Sequence, residues 1–256
     1  MGKVVAVLSG KGGTGKTTVC AGLAAGLAAQ GCRVLCIDLD VGLRNLDIAL
    51  GLSQVPALSF QDVSEEGADL TAAAQHPVYE TLFFLTAPVG RRPEELDRAA
   101  FDRMMEAARQ SFDFCLLDAP AGVGAGFQLA ARAASLEVLV TGPDPGALRD
   151  GARTGEILEL MGKEDVRLVV NRVDARLYRS LHLTVDDVMD WVGYPLLGLV
   201  PEDRNVMLAA VHDRPVLLYA RRCGRGRRLP THGKTTAGIA GSLGRHVILG
   251  RYGSEV

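Results

Sequence analysis

Short runs of apolar, β-branched residues alternate along the chain with longer stretches rich in alanine and leucine. Several of the short runs are apolar at nearly every position, which is typical of parallel strands covered by helices on both faces. The alternation therefore predicts an α/β fold with a mostly parallel sheet flanked by helices. The predicted strands cover residues 4–8, 34–37, 82–85, 114–117, 137–140, 167–170 and 196–200.

The longer stretches have the spacing of helices. In the first of them, between residues 17 and 29, apolar positions recur at helical intervals, and Gly31 follows where a C-cap is expected. No internal repeat and no low-complexity linker precedes residue 220, so we predict one domain over residues 1–220. The further predicted helices cover residues 99–109, 126–134, 148–161, 185–192 and 204–211.

Composition narrows the class of protein. A chain of 256 residues with 48% hydrophobic residues can bury a sizeable core, yet no apolar run approaches the roughly 20 residues that span a bilayer. The first apolar run lacks a small-residue cleavage site, so we expect no signal peptide and a cytoplasmic location. Five scattered cysteines without a CxxC pair argue against a disulfide framework and against a cysteine zinc site.

The formal net charge of −2 conceals two oppositely charged parts. Residues 221–256 carry eight basic residues and one acidic residue, a net charge of +7, which leaves −9 on residues 1–220. We predict that residues 221–256 form a separate basic tail, rich in glycine and arginine, with a possible helix near its end. Such asymmetry is typical of a surface that meets an anionic partner.

A phosphate loop is the clearest chemical motif. Residues 10–17 match the pattern GxxxxGK[ST] directly after a predicted strand and before a predicted helix. Glycines let consecutive N–H groups point at phosphate oxygens, and the helix start adds the positive end of its dipole. We expect Lys16 to reach the β- and γ-phosphates and the Thr17 hydroxyl to bind Mg²⁺. The predicted nucleotide-binding residues here are Gly10, Lys11, Gly12, Gly13, Thr14, Gly15, Lys16, Thr17 and Thr18.

Carboxylates follow two of the predicted strands. Asp38 and Asp40 end the second strand, and Asp118 ends the fourth. The carboxyl ends of parallel strands face the ligand, and we expect one of Asp38 and Asp40, not both, to face the γ-phosphate. Asp118 has the Walker B arrangement, in which a buried strand delivers a carboxylate to Mg²⁺. The turn that follows it, with Gly122, suits a segment that switches conformation.

The phosphate loop contains a second lysine, Lys11, in the sequence KGGTGKT. This sequence resembles the deviant Walker A signature of the ParA/MinD family of P-loop ATPases, and the resemblance extends over roughly residues 3–216. It implies the three-layer P-loop NTPase sandwich and ATP with Mg²⁺ as the bound group. It also implies three catalytic residues. Lys11 reaches the phosphates of a dimer partner, Lys16 positions the phosphates in its own site, and Asp40 holds the attacking water. The implied metal environment consists of Thr17, Asp38 and Asp118.

The same resemblance assigns residues beyond the phosphate loop. It implies that the Gly122 N–H senses the γ-phosphate, that Asn171 contacts adenine, and that Pro201 and Glu202 lie beside the base. From the residues alone, an amide at the end of a strand can pair with an adenine edge or simply cap the strand.

Two segments, GLRNLD at residues 42–47 and PLLGLVPED at residues 195–203, resemble the MinD branch of the family rather than the ParA branch. The resemblance implies an ATP hydrolase, slow without a partner, that dimerises on Mg-ATP and regulates septum placement at the membrane until hydrolysis resets it. Implied partners are a second copy, a division inhibitor and an ATPase-activating protein. The rival interpretation is a ParA-type ATPase that partitions DNA or positions other cargo.

The C-terminus departs from this branch, whose members usually end in a basic amphipathic helix that inserts into the membrane. Residues 245–252 carry apolar and basic residues but no two-turn apolar face. Three interpretations of the arginine-rich residues 221–228 remain open: a solvated tail, a contact with anionic lipid at the inner face of the membrane, or a salt-sensitive contact with DNA. Of these, DNA is the least favoured.

Overall fold

The computed structural model describes residues 1–90, 93–182, 184–216 and 218–219, and this part of the chain contains one sheet of eight strands. The strand order is β3-β4-β2-β5-β1-β6-β7-β8, and every neighbouring pair is parallel except β3 with β4. The strands are β1 (Lys3–Leu8), β2 (Val34–Asp38), β3 (Ala74–Gln75), β4 (Leu82–Leu85), β5 (Phe114–Asp118), β6 (Leu136–Thr141), β7 (Val166–Val173) and β8 (Leu196–Pro201).

Helices cover both faces of the sheet. Alternate residues of the central strands face two separate cores, so that Val4 and Ala6 pack with α4, α5, α6 and α8, whereas Val5 and Val7 pack with α1 and α2. This arrangement is the predicted three-layer sandwich. The helices are α1 (Lys16–Ala28), α2 (Leu46–Leu50), α3 (Phe60–Ser64), α4 (Arg98–Ser111), α5 (Ala125–Ala133), α6 (Pro145–Leu160), α7 (Ala175–Ser180), α8 (Val185–Val192) and α9 (Asn205–Val211).

Helix α1 is buried along nearly its whole length. Of its thirteen residues only Thr17 and Thr18 are not buried, because α2 and α9 cover the sides that the sheet leaves free. A helix that is apolar all round is typical of such a position. The helix that follows the phosphate loop is therefore held rigidly against the centre of the sheet.

All seven predicted strands and all six predicted helices are confirmed, with small shifts of their ends. The prediction missed β3, which has two residues, and α2 and α3, which have five residues each. Segments this short give no measurable periodicity. The prediction also missed α7. The predicted tail, residues 221–256, lies outside the described residues, so the domain boundary at residue 220 stays a prediction.

The sheet brings the ends of its central strands to one edge. Asp38 of β2 lies level with Asp118 of β5, and Val7 of β1 pairs with the same residue from the other side. The phosphate loop continues β1 at this edge. Within the part of the chain that the structure describes, no helix is long and apolar enough to cross a bilayer.

Candidate functional site

The phosphate loop joins β1 to α1 in a tight curve that depends on glycine. Gly13 and Gly15 have φ angles of 81° and 82°, in the left-handed region that disfavours other residues. A Cβ atom at Gly15 would overlap the Asn171 amide, and one at Gly10 would overlap the Thr154 hydroxyl. The loop therefore lies directly against β7 and α6, and positions 10 and 15 require glycine.

The first turn of α1 offers unpaired N–H groups at the loop. No side chain among the described residues caps this helix, and its first turn carries no acidic residue. The N–H groups and the helix dipole at this end together favour an anion. The geometry is that of a phosphate-binding site.

Lys16 and Asp118 form a buried ion pair beside the loop. The Lys16 Nζ atom lies 2.5 Å from Asp118 Oδ1, and the two side chains are 7% and 1% exposed. The Thr17 Oγ1 atom lies 3.5 Å from Lys16 Nζ. Burial raises the pKa of Asp118, and the neighbouring Lys16 acts in the opposite direction. The structure thus brings three of the predicted site residues into direct contact.

Asp38 and Asp40 occupy different environments. Asp38 is 1% exposed and accepts the N–H groups of Asp40 and Leu46 at 2.9 and 3.1 Å. Burial, and then the negative charge of Asp118, raise the pKa of Asp38 to about 7. Asp40 is only half-buried, and its Oδ1 atom accepts the N–H groups of Gly42 and Leu43, each at 3.2 Å. Asp38 therefore faces the buried cluster, whereas Asp40 shapes the loop that follows β2.

These oxygen atoms suit Mg²⁺, which prefers oxygen ligands and is usually held by one or two carboxylates together with substrate phosphates. The Thr17 hydroxyl and the carboxylates of Asp38 and Asp118 supply such a set. Among the described residues no group of three or more His, Cys, Asp or Glu side chains could hold a metal ion by itself, so the phosphates and the Thr17 hydroxyl would have to complete the set here.

Asn171 joins the phosphate loop to a second cavity. Its side chain is 3% exposed, and Nδ2 donates to the Thr14 carbonyl at 2.7 Å. Its Oδ1 atom is buried and has no hydrogen-bond partner in the described part of the protein. Such an acceptor is costly unless a ligand satisfies it. The cavity beside it measures about 260 Å³ and includes Gly15, Thr18, Asn171, Pro201 and Glu202 in its lining.

Lys11 and Gly122 do not join the buried cluster. The Lys11 side chain is half exposed, and its Nζ atom lies 3.9 Å from Asp144 at the start of α6. The Gly122 N–H donates to the Ser9 carbonyl at 3.1 Å, and its φ angle is 85°. Lys11 belongs to the phosphate loop and Gly122 lies beside it, but Lys11 is nearest to Asp144 and the Gly122 N–H is bonded to Ser9.

The sequence analysis did not identify Arg172, which lines the two cavities next to the phosphate loop. Arg172 has a φ angle of 60°, and its Nε atom donates to Glu202 Oε2 at 2.8 Å. It lines both the cavity beside Asn171 and a neighbouring cavity of about 390 Å³ that also contacts Lys11. Its position next to Asn171 was the only signal in the sequence, because its partner lies thirty residues away.

The chain is similar to a known family of nucleotide-binding proteins. Residues 5–216 match the family described as the CobQ/CobB/MinD/ParA nucleotide binding domain. A septum site-determining protein MinD from Synechocystis sp. is 33% identical over 220 residues, which cover 85% of this chain and 83% of that protein.

Solved structures give the same result. The MinC:MinD cell division protein complex of Aquifex aeolicus matches with a TM-score of 0.82 and 29% identity, covering 94% of this chain and 95% of that one. The septum site-determining protein MinD of Pyrococcus horikoshii, solved with Mg-ADP, matches with a TM-score of 0.80 and 27% identity, covering 95% and 96%.

The raised pKa of Asp38 predicts how stability depends on pH in the absence of nucleotide and Mg²⁺. The ordinary pKa of 3.8 applies to the unfolded chain and the value of about 7 to the folded one, so folding favours the protonated carboxyl. This stabilisation is fully present below pH 3.8 and is lost as the pH rises through about 7. As the pH rises between these two values, the free energy of unfolding should therefore fall relative to that of Asp38→Asn, by up to about 1.4 kcal/mol per pH unit.

Urea unfolding followed by circular dichroism between pH 5 and pH 8 measures this difference. The two proteins should diverge up to about pH 7 and then run parallel. Parallel curves over the whole range would show that Asp38 is ionised in the folded protein throughout.

Proposed function

The chain belongs to the MinD group of the CobQ/CobB/MinD/ParA family, and we propose that it is an ATPase that dimerises on Mg-ATP and regulates septum placement. Hydrolysis to ADP and phosphate resets it to the monomer. The observation that carries the proposal is the ion pair of Lys16 with Asp118 at the uncapped start of α1, with Thr17 beside Lys16 and Asp38 level with Asp118 on the neighbouring strand. A cation, a hydroxyl and two carboxylates are what a magnesium–triphosphate complex requires.

In the proposed complex the loop N–H groups and Lys16 hold the phosphates. Lys16 is pre-positioned for this by its ion pair with Asp118, which keeps the ammonium group at the mouth of the loop. Thr17, Asp38 and Asp118 would hold Mg²⁺, which would supply positive charge beside the phosphate oxygens. Asp38 would serve as a ligand in its ionised form.

The proposed base contact follows from the orientation of the Asn171 amide. Because Nδ2 is committed to the Thr14 carbonyl, the free atom is the acceptor Oδ1. An acceptor at this place pairs with the exocyclic amino group of adenine, whereas guanine carries an oxygen there. Pro201 and Glu202 line the same cavity and would lie beside the base.

Hydrolysis is proposed to depend on three residues around the loop. The Asp40 carboxylate orients the attacking water, Lys11 stabilises the phosphates of a partner molecule, and the Gly122 N–H contacts the γ-phosphate. Gly122 must exchange its bond with Ser9 for this contact, which makes the turn after β5 a nucleotide-dependent switch. Phosphoryl transfer needs little beyond such positioning and charge stabilisation.

We further propose the partners. The MinC:MinD complex of Aquifex aeolicus supports a division inhibitor of the MinC class as one partner of this chain. An ATPase-activating protein would account for turnover, which we expect to be slow without it. The net charge of +7 on residues 221–256 supports a peripheral contact with anionic lipid from a cytoplasmic protein.

The first prediction separates the two lysines of the loop. Lys16→Ala should abolish binding of ATP, since it removes the buried cation beside the phosphates. Lys11→Ala is the matched control, because its side chain is half exposed and lies outside that cluster. It should retain binding of ATP but fail to form ATP-dependent dimers. Fluorescent nucleotide titration and light scattering measure both properties, and equal loss of binding in the two variants would refute this division of roles.

The second prediction concerns the attacking water. Asp40→Ala should leave ATP-driven dimers intact and lower the rate of phosphate release by about 100-fold or more, since a positioned general base typically contributes about 10²- to 10⁴-fold. Dimerisation by light scattering and phosphate release are measured on the same sample. Normal turnover in this variant would exclude Asp40 as the residue that holds the water.

The third prediction concerns the tail. Sedimentation with anionic liposomes should require both ATP and residues 221–256, and sedimentation with nonspecific DNA should not occur. Each assay is run on the full chain and on residues 1–220. Lipid binding that is independent of ATP would exclude the MinD-type switch. Tail-dependent DNA binding that weakens with salt would instead favour the ParA-type function.

A further inference from the structure

Helix α2 connects the buried carboxylates to a histidine that no step of the proposed reaction uses. At its start, the Leu46 N–H donates to Asp38 Oδ2 at 3.1 Å. At its end, the Leu50 carbonyl lies 3.1 Å from His76 Nε2, across twenty-six residues of chain. The five residues of α2 therefore span the distance from Asp38 to His76 with a hydrogen bond at each end.

The hydrogen bonds of His76 define its tautomer. Nδ1 lies 3.0 Å from the N–H groups of both Val78 and Tyr79, so it is an acceptor and carries no proton. Nε2 therefore carries the proton and donates it to the Leu50 carbonyl. The ring is 2% exposed and packs on Tyr79 with the centroids 5.2 Å apart. His76 thus fastens the end of α2 to the turn before β4.

A helix of five residues is not stable by itself, because it has too few internal hydrogen bonds to offset the loss of backbone entropy. Contacts at its ends and along its buried face must do so. Leu46 and Leu50 are fully buried against α1, and Gly51 ends the helix in the left-handed region at a φ angle of 70°. The bond from His76 supplies the partner for the last carbonyl of the helix.

We propose that His76 is a positioning residue that holds Asp38 in place for Mg²⁺ through α2. The proposal rests on the proposed function, in which Asp38 belongs to the metal environment. Mg²⁺ accepts little deviation from octahedral geometry, so a small movement of a carboxylate weakens its binding. Without the bond to Leu50, α2 would hold its first N–H less firmly, and of the two N–H groups on the Asp38 carboxylate only that of Asp40 would keep its present support.

Two substitutions separate the two hydrogen bonds of the ring. His76→Gln can still donate to the Leu50 carbonyl but loses the acceptor for Val78 and Tyr79, whereas His76→Asn keeps that acceptor and loses the donor. Titration of Mg²⁺ against binding of a fluorescent ADP analogue measures the metal requirement. Loss of an outer partner of a metal ligand typically weakens metal binding about 10- to 100-fold, so we expect a half-saturating Mg²⁺ about tenfold higher in His76→Asn and nearly unchanged in His76→Gln.

Hydrogen exchange of the nucleotide-free proteins gives a second readout that does not depend on the metal. The Leu46 amide should exchange faster in His76→Asn than in the native protein, and at the native rate in His76→Gln. If His76→Asn does not fold, Leu50→Ala loosens the same end of α2 while leaving the His76 side chain in place, and it should raise the Mg²⁺ requirement in the same direction.

The results distinguish this inference from the proposed function. Equal Mg²⁺ requirements and equal Leu46 exchange in the Gln and Asn variants would overturn the role of His76, as would a native Mg²⁺ requirement in Leu50→Ala. The proposed function would still stand after that result if the native protein binds nucleotide in a Mg²⁺-dependent way and Asp38→Asn does not. A native protein without Mg²⁺-dependent nucleotide binding would overturn the proposed function itself.

Discussion

Two carboxylates buried side by side on neighbouring strands are the constraint on which the site depends. The parallel register of β2 and β5 places Asp38 level with Asp118, and Lys16 forms an ion pair with Asp118. Removing like charges from water together is unfavourable, and the elevated pKa of Asp38 reflects this cost. Whenever both carboxylates are ionised, the cluster carries more negative than positive charge, which a divalent cation would correct.

The surrounding structure keeps this unfavourable arrangement in place. Backbone N–H groups from the chain after β2 satisfy the Asp38 oxygens, and Lys16 forms an ion pair with Asp118. Helix α1, which supplies Lys16 and Thr17, is buried on nearly all sides and cannot shift without disturbing both the sheet and its neighbouring helices. A protein whose site is costly to assemble thus places it where the packing is most rigid.

The sequence predicted the parts of the protein that depend on local pattern. The strands, the long helices and the phosphate loop follow from periodicity and from the spacing of glycines, so they can be predicted from the sequence alone. The roles of His76 and Arg172 cannot, because each depends on a partner twenty-six or thirty residues away. Side chains two residues apart on a strand share a face, so alternation does not separate Asp38 from Asp40. The two differ because β2 ends at Asp38, which is buried, whereas Asp40 lies in the loop beyond the strand.

The strand order has a consequence for how the protein is made. β1 lies between β5 and β6, which follow it in the chain by about a hundred residues, so synthesis at about 5–20 residues per second leaves β1 without either neighbour for on the order of ten seconds. Until then, a strand whose five apolar residues are fully buried in the finished fold lacks both of the strands that flank it. The surroundings of the phosphate loop are therefore completed only after β5 and β6 have been made, although the loop itself directly follows β1.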